Sequence, residues 1–121
     1  VSASKAKGTR WETAVADYLR ANGVTHAERR ALNGSTDRGD IAGIPGVVLE
    51  AKNASRTDLT GWVDEAETER VNDGAELAVV WHHRRGKASP GDGYVTMTGA
   101  TLVRLLAAAG YIAAPVEVGA A

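Results

Sequence analysis

The stretch Asp40–Asn53, DIAGIPGVVLEAKN, places an acid and a lysine, Glu50 and Lys52, at the end of the apolar run Val47-Val48-Leu49. Side chains alternate across a strand, so Glu50 and Lys52 share one face while Leu49 and Ala51 take the other. Charged groups beside a buried strand cost free energy unless something compensates them. A divalent cation held together with Asp40 supplies such compensation. Between DIAGI and VVLEAKN, Pro45-Gly46 reads as a hairpin turn, with proline setting the first backbone angle.

Upstream, Trp11, Ala14, Val15, Tyr18 and Leu19 recur at helical spacing, which predicts an amphipathic helix from about Ala3 to Ala21, closed by Asn22-Gly23. Glu12 sits at the margin of its buried stripe. Residues 24–32 are predicted to be extended, with a turn at NGSTDRG. Downstream, Thr57 or Asp58 caps a second helix, with Leu59, Trp62, Val63 and Ala66 inward. Its acids, Asp64, Glu65, Glu67 and Glu69, are expected largely outward and away from any DNA, except that Glu65 or Glu69 can approach the site. ELAVVWHH and YVTMT read as strands joined by the polar loop RRGKASPGDG. A last helix over about Ala100–Ala109 is expected to bury Leu102, Leu105 and Leu106. The predicted order is α-β-β-β-α-β-β-α, an α/β (α+β) fold with a central mixed sheet flanked by helices.

At 121 residues the chain is expected to form one domain over 1–112, followed by a loose tail over 113–121. A charged fraction of 24% beside 44% hydrophobic residues argues against a disordered chain. No apolar run approaches the roughly 20 residues that span a bilayer, and the first residues lack the apolar core of a secretory signal. The absence of cysteine excludes disulfides and thiolate metal sites, which together points to the cytoplasm.

The net charge of −1 hides a segregation. Residues 1–38 carry seven basic side chains against four acids, whereas residues 53–83 carry two against seven. Such an arrangement gives the molecule a field with direction, which suits a polyanionic partner. An ordinary solvated surface with uneven charge is the alternative.

Asp40 and Glu50, on neighbouring strands, can converge on one hard cation, and the backbone carbonyl of Ala51 can add a ligand. Lys52 then aims its ammonium at an attacking water or a phosphate, and Glu12 reaches the group if its helix packs across the strands. Metal-assisted phosphodiester cleavage asks for such a set. An acid-x-Lys triplet alone is expected roughly once by chance in a chain this long. The combination with an acid opening a strand and an upstream helical glutamate is far rarer.

The pattern GD40-x9-E50-A-K52 resembles the PD-(D/E)xK nuclease superfamily, with Gly39 where the motif has proline. Together with KGTRWETAVADYLRANG and ERRALNGSTDRGDIAG, it is most similar to the Holliday-junction resolvase branch, in its small archaeal and phage forms, over about residues 5–110. The resemblance implies a restriction-endonuclease-like core with Glu12, Asp40, Glu50 and Lys52 as the catalytic set. It implies Asp40 and Glu50 as metal ligands for Mg²⁺ or Mn²⁺, a homodimer, and paired cuts in branched DNA. Ser35 is the candidate for a loop serine that assists in some members.

Lys5, Lys7, Arg10, Arg29, Arg30, Arg38, Arg85 and Lys87 are candidate phosphate contacts, with a solvated surface as the alternative for each. Arg29 and Arg30 alternate faces, so one of the two is expected to meet DNA. His82 and His83 are adjacent strand residues pointing to opposite faces and cannot chelate one ion together. His82 is expected half-buried and His83 near DNA. Trp11, Trp62 and Trp81 read as core or dimer-contact residues. Two rival readings stay open: another repair or restriction-type nuclease of this superfamily, and a non-catalytic DNA-binding subunit on the same fold.

Overall fold

Ser2 caps the first helix: its side chain accepts a 3.1 Å hydrogen bond from the Lys5 amide, which satisfies a donor that the first turn cannot. The computed structural model describes residues 2–30 and 39–114. Within them α1 spans Ala3–Ala21, β1 Glu28–Arg29, β2 Ile41–Ala42, β3 Val47–Lys52 and α2 Leu59–Asp73. β4 spans Leu77–His82, a short 3-10 turn Pro90–Asp92, β5 Tyr94–Thr96 and α3 Gly99–Ala108. The order of helices and strands is the expected one, and the architecture is mixed α and β. Most of the NGSTDRG turn and residues 115–121 lie outside the described residues.

β3 and β4 pair in parallel, from Val47 opposite Leu77 to Lys52 opposite His82, with α2 as the crossover between them. β5 pairs antiparallel with the outer side of β4. Strand parity divides the core. Leu49 and Ala51 pack with Trp11, Val15, Ala16, Ala27 and Ile41, the α1 side. Val48 packs with Ala66, Ala75, Ala78 and Val80, with Trp62 and Val63 against them, the α2 side. Glu50 has the parity of Val48 and therefore enters the sheet face covered by α2. The Trp11 indole donates to the Trp81 carbonyl at 3.1 Å, which ties α1 across the end of β4.

The expected hairpin of DIAGI on VVLEAKN is corrected. β2 takes its ladder partner from β1, with Glu28 opposite Ala42 and Arg29 opposite Ile41, and the two form a separate ladder rather than joining one mixed sheet. The cause is backbone geometry. Gly43 has φ +99, and a Cβ there would lie 2.0 Å from the His26 carbonyl oxygen, so the chain bends towards residues 26–28. β2 stays beside β3 through Asp40, whose amide donates to the Leu49 carbonyl at 2.9 Å.

Two further expectations on helix faces are corrected. In α3 it is Thr101 that is buried, while Leu102 and Leu105 are exposed. Polar contacts orient that helix: Thr101 donates to Glu67, and Arg104 donates to the Glu76 carbonyl at 2.9 Å. In α2, Leu59 is exposed and Glu69 is buried, at 3% relative exposure. No described helix is long and apolar enough to cross a membrane.

Candidate functional site

The C-terminal end of β3 carries the site. The parallel partner β4 ends at the same place, joined there by the bond from the His83 amide to the Lys52 carbonyl. α1 covers one face of this end and α2 the other. Asp40 lies at the open edge of β3, where both faces meet.

Asp40 is held by the main chain of β3. Its Oδ2 accepts a 2.8 Å hydrogen bond from the Ala51 amide. Amide and carbonyl of one strand residue point to the same edge, so the Ala51 carbonyl also faces the Asp40 side. On the α1 side Asp40 neighbours Glu12, and on the α2 side it neighbours Glu50. The sequence-predicted acids therefore come together, with Asp40 as the link between two faces of the sheet.

The electrostatics are those of a site short of positive charge. Burial, then Asp40, holds the Glu12 carboxyl above its ordinary value, against the opposing pull of Arg29. Glu50 is pushed up to about 11, by burial first and then by Glu69 and Asp40. Its Oε1 is buried without a hydrogen-bond partner. Lys52 sits 3.4 Å from Glu65 Oε2 and 4.0 Å from Glu50 Oε2. Burial pulls its ammonium down; Glu65, Glu50 and Asp40, in that order, more than offset this and leave it above its ordinary value.

Among the described residues, Glu50, Glu65 and Glu69 form a group whose ligand atoms all lie within 4.8 Å of one another, and this group can hold a metal ion. The compact triad thus lies on the α2 side of Glu50, not between Glu12, Asp40 and Glu50. Glu65 and Glu69 are four residues apart and share a helix face. The signal for Glu69 was in the spacing: the inward stripe Trp62, Val63, Ala66 continues to position 69.

The cationic candidates are placed differently. Arg29 is engaged by α1: its Nε donates to Glu12 Oε2 at 3.3 Å and its Nη2 to Thr9 Oγ1 at 3.5 Å. The Arg30 amide donates to the Asp40 carbonyl at 2.7 Å, and its Nε is buried without a hydrogen-bond partner. Lys5 and Arg10 are exposed on α1 and Lys7 is half-buried. Lys5 shares the Glu12 face two turns earlier, about 10 Å along the axis. Arg85 and Lys87 are exposed in the loop that leaves β4 at the site's end of the sheet. Ser35 and Arg38 lie outside the described residues.

The histidines are structural neighbours. His82 Nε2 is 2.8 Å from Thr96 Oγ1, and burial lowers its pKa. His83, expected near DNA, packs its ring edge-on against Trp11 with centroids 5.0 Å apart. Trp11 is buried core and Trp81, half-buried, donates to the Pro90 carbonyl at 2.9 Å. Comparison with family models, curated proteins and solved structures finds no match to this chain.

Proposed function

We propose that the chain is a metal-dependent, structure-selective endodeoxyribonuclease that cuts four-way DNA junctions, built on a restriction-endonuclease-like core. The observation that carries the reading is the position of Asp40, clamped by the Ala51 amide and flanked by Glu12 and Glu50, with Lys52 at the same strand end. The donor set fits a hard divalent cation: it is oxygen only, it holds excess carboxylate, and Glu50 Oε1 lacks a hydrogen-bond partner. Asp40, Glu50, the Ala51 carbonyl and, through water, Glu12 would hold Mg²⁺ or Mn²⁺. Such an ion, when bound, makes hydroxide available near neutral pH and polarises a phosphoryl oxygen.

The chain's own groups do the rest. Phosphodiester hydrolysis joins a water oxygen to phosphorus as one backbone P–O bond breaks, and negative charge builds on the phosphoryl oxygens. The Lys52 ammonium is the cation positioned to meet that charge. Arg29 holds the Glu12 carboxylate in place rather than touching DNA. Lys5, Lys7 and Arg10 on α1, with Arg85 and Lys87 on the loop after β4, supply phosphate contacts that read backbone shape and not sequence. A junction has approximate two-fold symmetry, so a C2 homodimer presents two equivalent sites for paired cuts.

The test is cleavage of four-way junctions, flaps and linear duplex with and without Mg²⁺. Metal-dependent paired nicks in the junction are expected. Cleavage confined to flaps or linear duplex moves the reading to a repair or restriction-type nuclease. No metal-dependent nicking of any of the three overturns it in favour of a DNA-binding role.

A further inference from the structure

Glu50 serves two neighbourhoods, and its α2-side neighbours Glu65 and Glu69 have no part in the site just proposed. We propose that Glu50, Glu65 and Glu69 form a second divalent-cation site, and that the Lys52 ammonium fills its place in the cation-free protein. Three ligand atoms, one from each acid, lie within 4.8 Å of one another. Independently of that clustering, Glu50 is 2% exposed and its Oε1 is buried with no hydrogen-bond partner, so this oxygen is open to a cation. A cation already stands beside the group: Lys52 Nζ is 3.4 Å from Glu65 Oε2 and 4.0 Å from Glu50 Oε2.

The chemistry narrows the ligand. With oxygen donors only, the site suits Mg²⁺ or Mn²⁺ and not zinc, which favours nitrogen and sulfur. The Glu65 side chain is 47% exposed, so one side of the site is open to the waters that such ions retain. Glu50 and Glu69, at 2% and 3% exposure, give it a dry floor. When the divalent ion takes Glu65 and Glu50, the Lys52 ammonium is released from both and the proton held on the Glu50 carboxyl leaves to water. The freed ammonium then becomes available to a phosphate at the neighbouring site. That last role rests on the nuclease reading; the binding does not.

The experiment is Mn²⁺ binding to the full chain without DNA, followed by the electron paramagnetic resonance signal of free Mn²⁺. The variants are Glu65→Gln, Glu69→Gln, Asp40→Asn and Lys52→Met. A class of Mn²⁺ sites is expected that weakens at least about tenfold in Glu65→Gln and in Glu69→Gln but survives in Asp40→Asn. Lys52→Met should tighten that class, because the competing ammonium is gone. Glu65 is exposed, so its variant tests the site even if Glu69→Gln disturbs packing. Wild-type binding in both glutamine variants, or loss of all binding in Asp40→Asn, overturns the site. Unchanged or weaker binding in Lys52→Met overturns the exchange. Cleavage, measured separately, judges the nuclease reading: intact Mn²⁺ binding with no nicking leaves this site standing and removes that function.

Discussion

The Ala51 amide donates a 2.8 Å hydrogen bond to Oδ2 of Asp40, and this bond connects an edge acid to the strand that carries Glu50 and Lys52. Because the donor is main chain, the position of the carboxylate is set by β3 itself. Asp40→Asn keeps an oxygen for the Ala51 amide but removes the charge a cation needs. Cleavage should fall by more than about a hundredfold, the upper end of what losing even an outer-shell metal partner costs. Lys52→Ala should cost on the order of 10²–10³ in rate, the cost typical of removing a donor to developing charge. In both variants junction binding, read by gel shift in Ca²⁺, should be largely kept. Near-wild-type turnover in either one would falsify the catalytic assignment.

Arg29 offers a sharper distinction, since one of Arg29 and Arg30 was expected to meet DNA and Arg29 pairs with Glu12. A phosphate contact contributes to the salt dependence of binding, with a slope of about 0.9 per phosphate neutralised on duplex. Arg29→Ala should leave the slope of log K against log salt unchanged while lowering the cleavage rate, because Glu12 loses the partner that opposes its raised pKa. Arg10→Ala or Lys5→Ala should do the reverse, reducing the slope by about one with little change in rate at saturating DNA. A reduced slope in Arg29→Ala would return this residue to the DNA surface.

The first two helices were legible by period or cap: Trp11 to Leu19 for α1, and Asp58, whose side chain does accept from the Gly61 amide at 3.0 Å, for α2. Strand parity was equally legible, since Leu49 and Ala51 do pack with Trp11 while Val48 packs with Ala66. What the sequence hid are pairings between segments that polar side chains and bends decide. β2 pairs with β1 because Gly43 turns the chain against His26, a fact of main-chain proximity with no periodic signature. Glu69 looked like solvent-facing charge because acids are rarely buried, yet its position continues the inward stripe of α2. Leu102 and Leu105 looked like core because they are apolar, but Thr101 and Arg104 orient α3 by hydrogen bonds to Glu67 and to the Glu76 carbonyl.

Gly39, just before Asp40, cannot be exchanged for proline. Its φ is +95, whereas proline is locked near −65°. A Cβ there would also approach the Leu49 carbonyl oxygen to 3.0 Å and the Leu49 amide nitrogen to 3.1 Å, and both are backbone atoms. Gly39→Pro should therefore destabilise the protein by about 3 kcal/mol or more, beyond the 1–3 kcal/mol typical of one strained backbone position. Urea unfolding of the metal-free protein measures this directly. A stability within error of wild type would mean that the turn before Asp40 can adopt an alternative path.

Burial, and after it Glu69 and Asp40, pushes the Glu50 carboxyl up to about 11, against an ordinary value of 4.5. The folded metal-free protein therefore holds a proton that the unfolded chain has released over most of the range between those values. Stability from a raised acid is fully present below the unfolded value and is lost as pH rises towards the folded one. Glu12, raised in the same sense, adds to the slope near its own range. The melting temperature without metal should fall steadily from about pH 5 to pH 9, at no more than about 1.4 kcal/mol of stability per pH unit from Glu50. Glu50→Gln should flatten that dependence and raise the melting temperature at pH 8, since it keeps the neutral form at every pH. Millimolar Mg²⁺ or Mn²⁺ should reverse the trend for the wild type, because a cation binds the ionised carboxylates and its stabilisation grows as protons leave. A metal-free melting temperature that climbs between pH 6 and pH 9 would show that Glu50 is ionised without a cation.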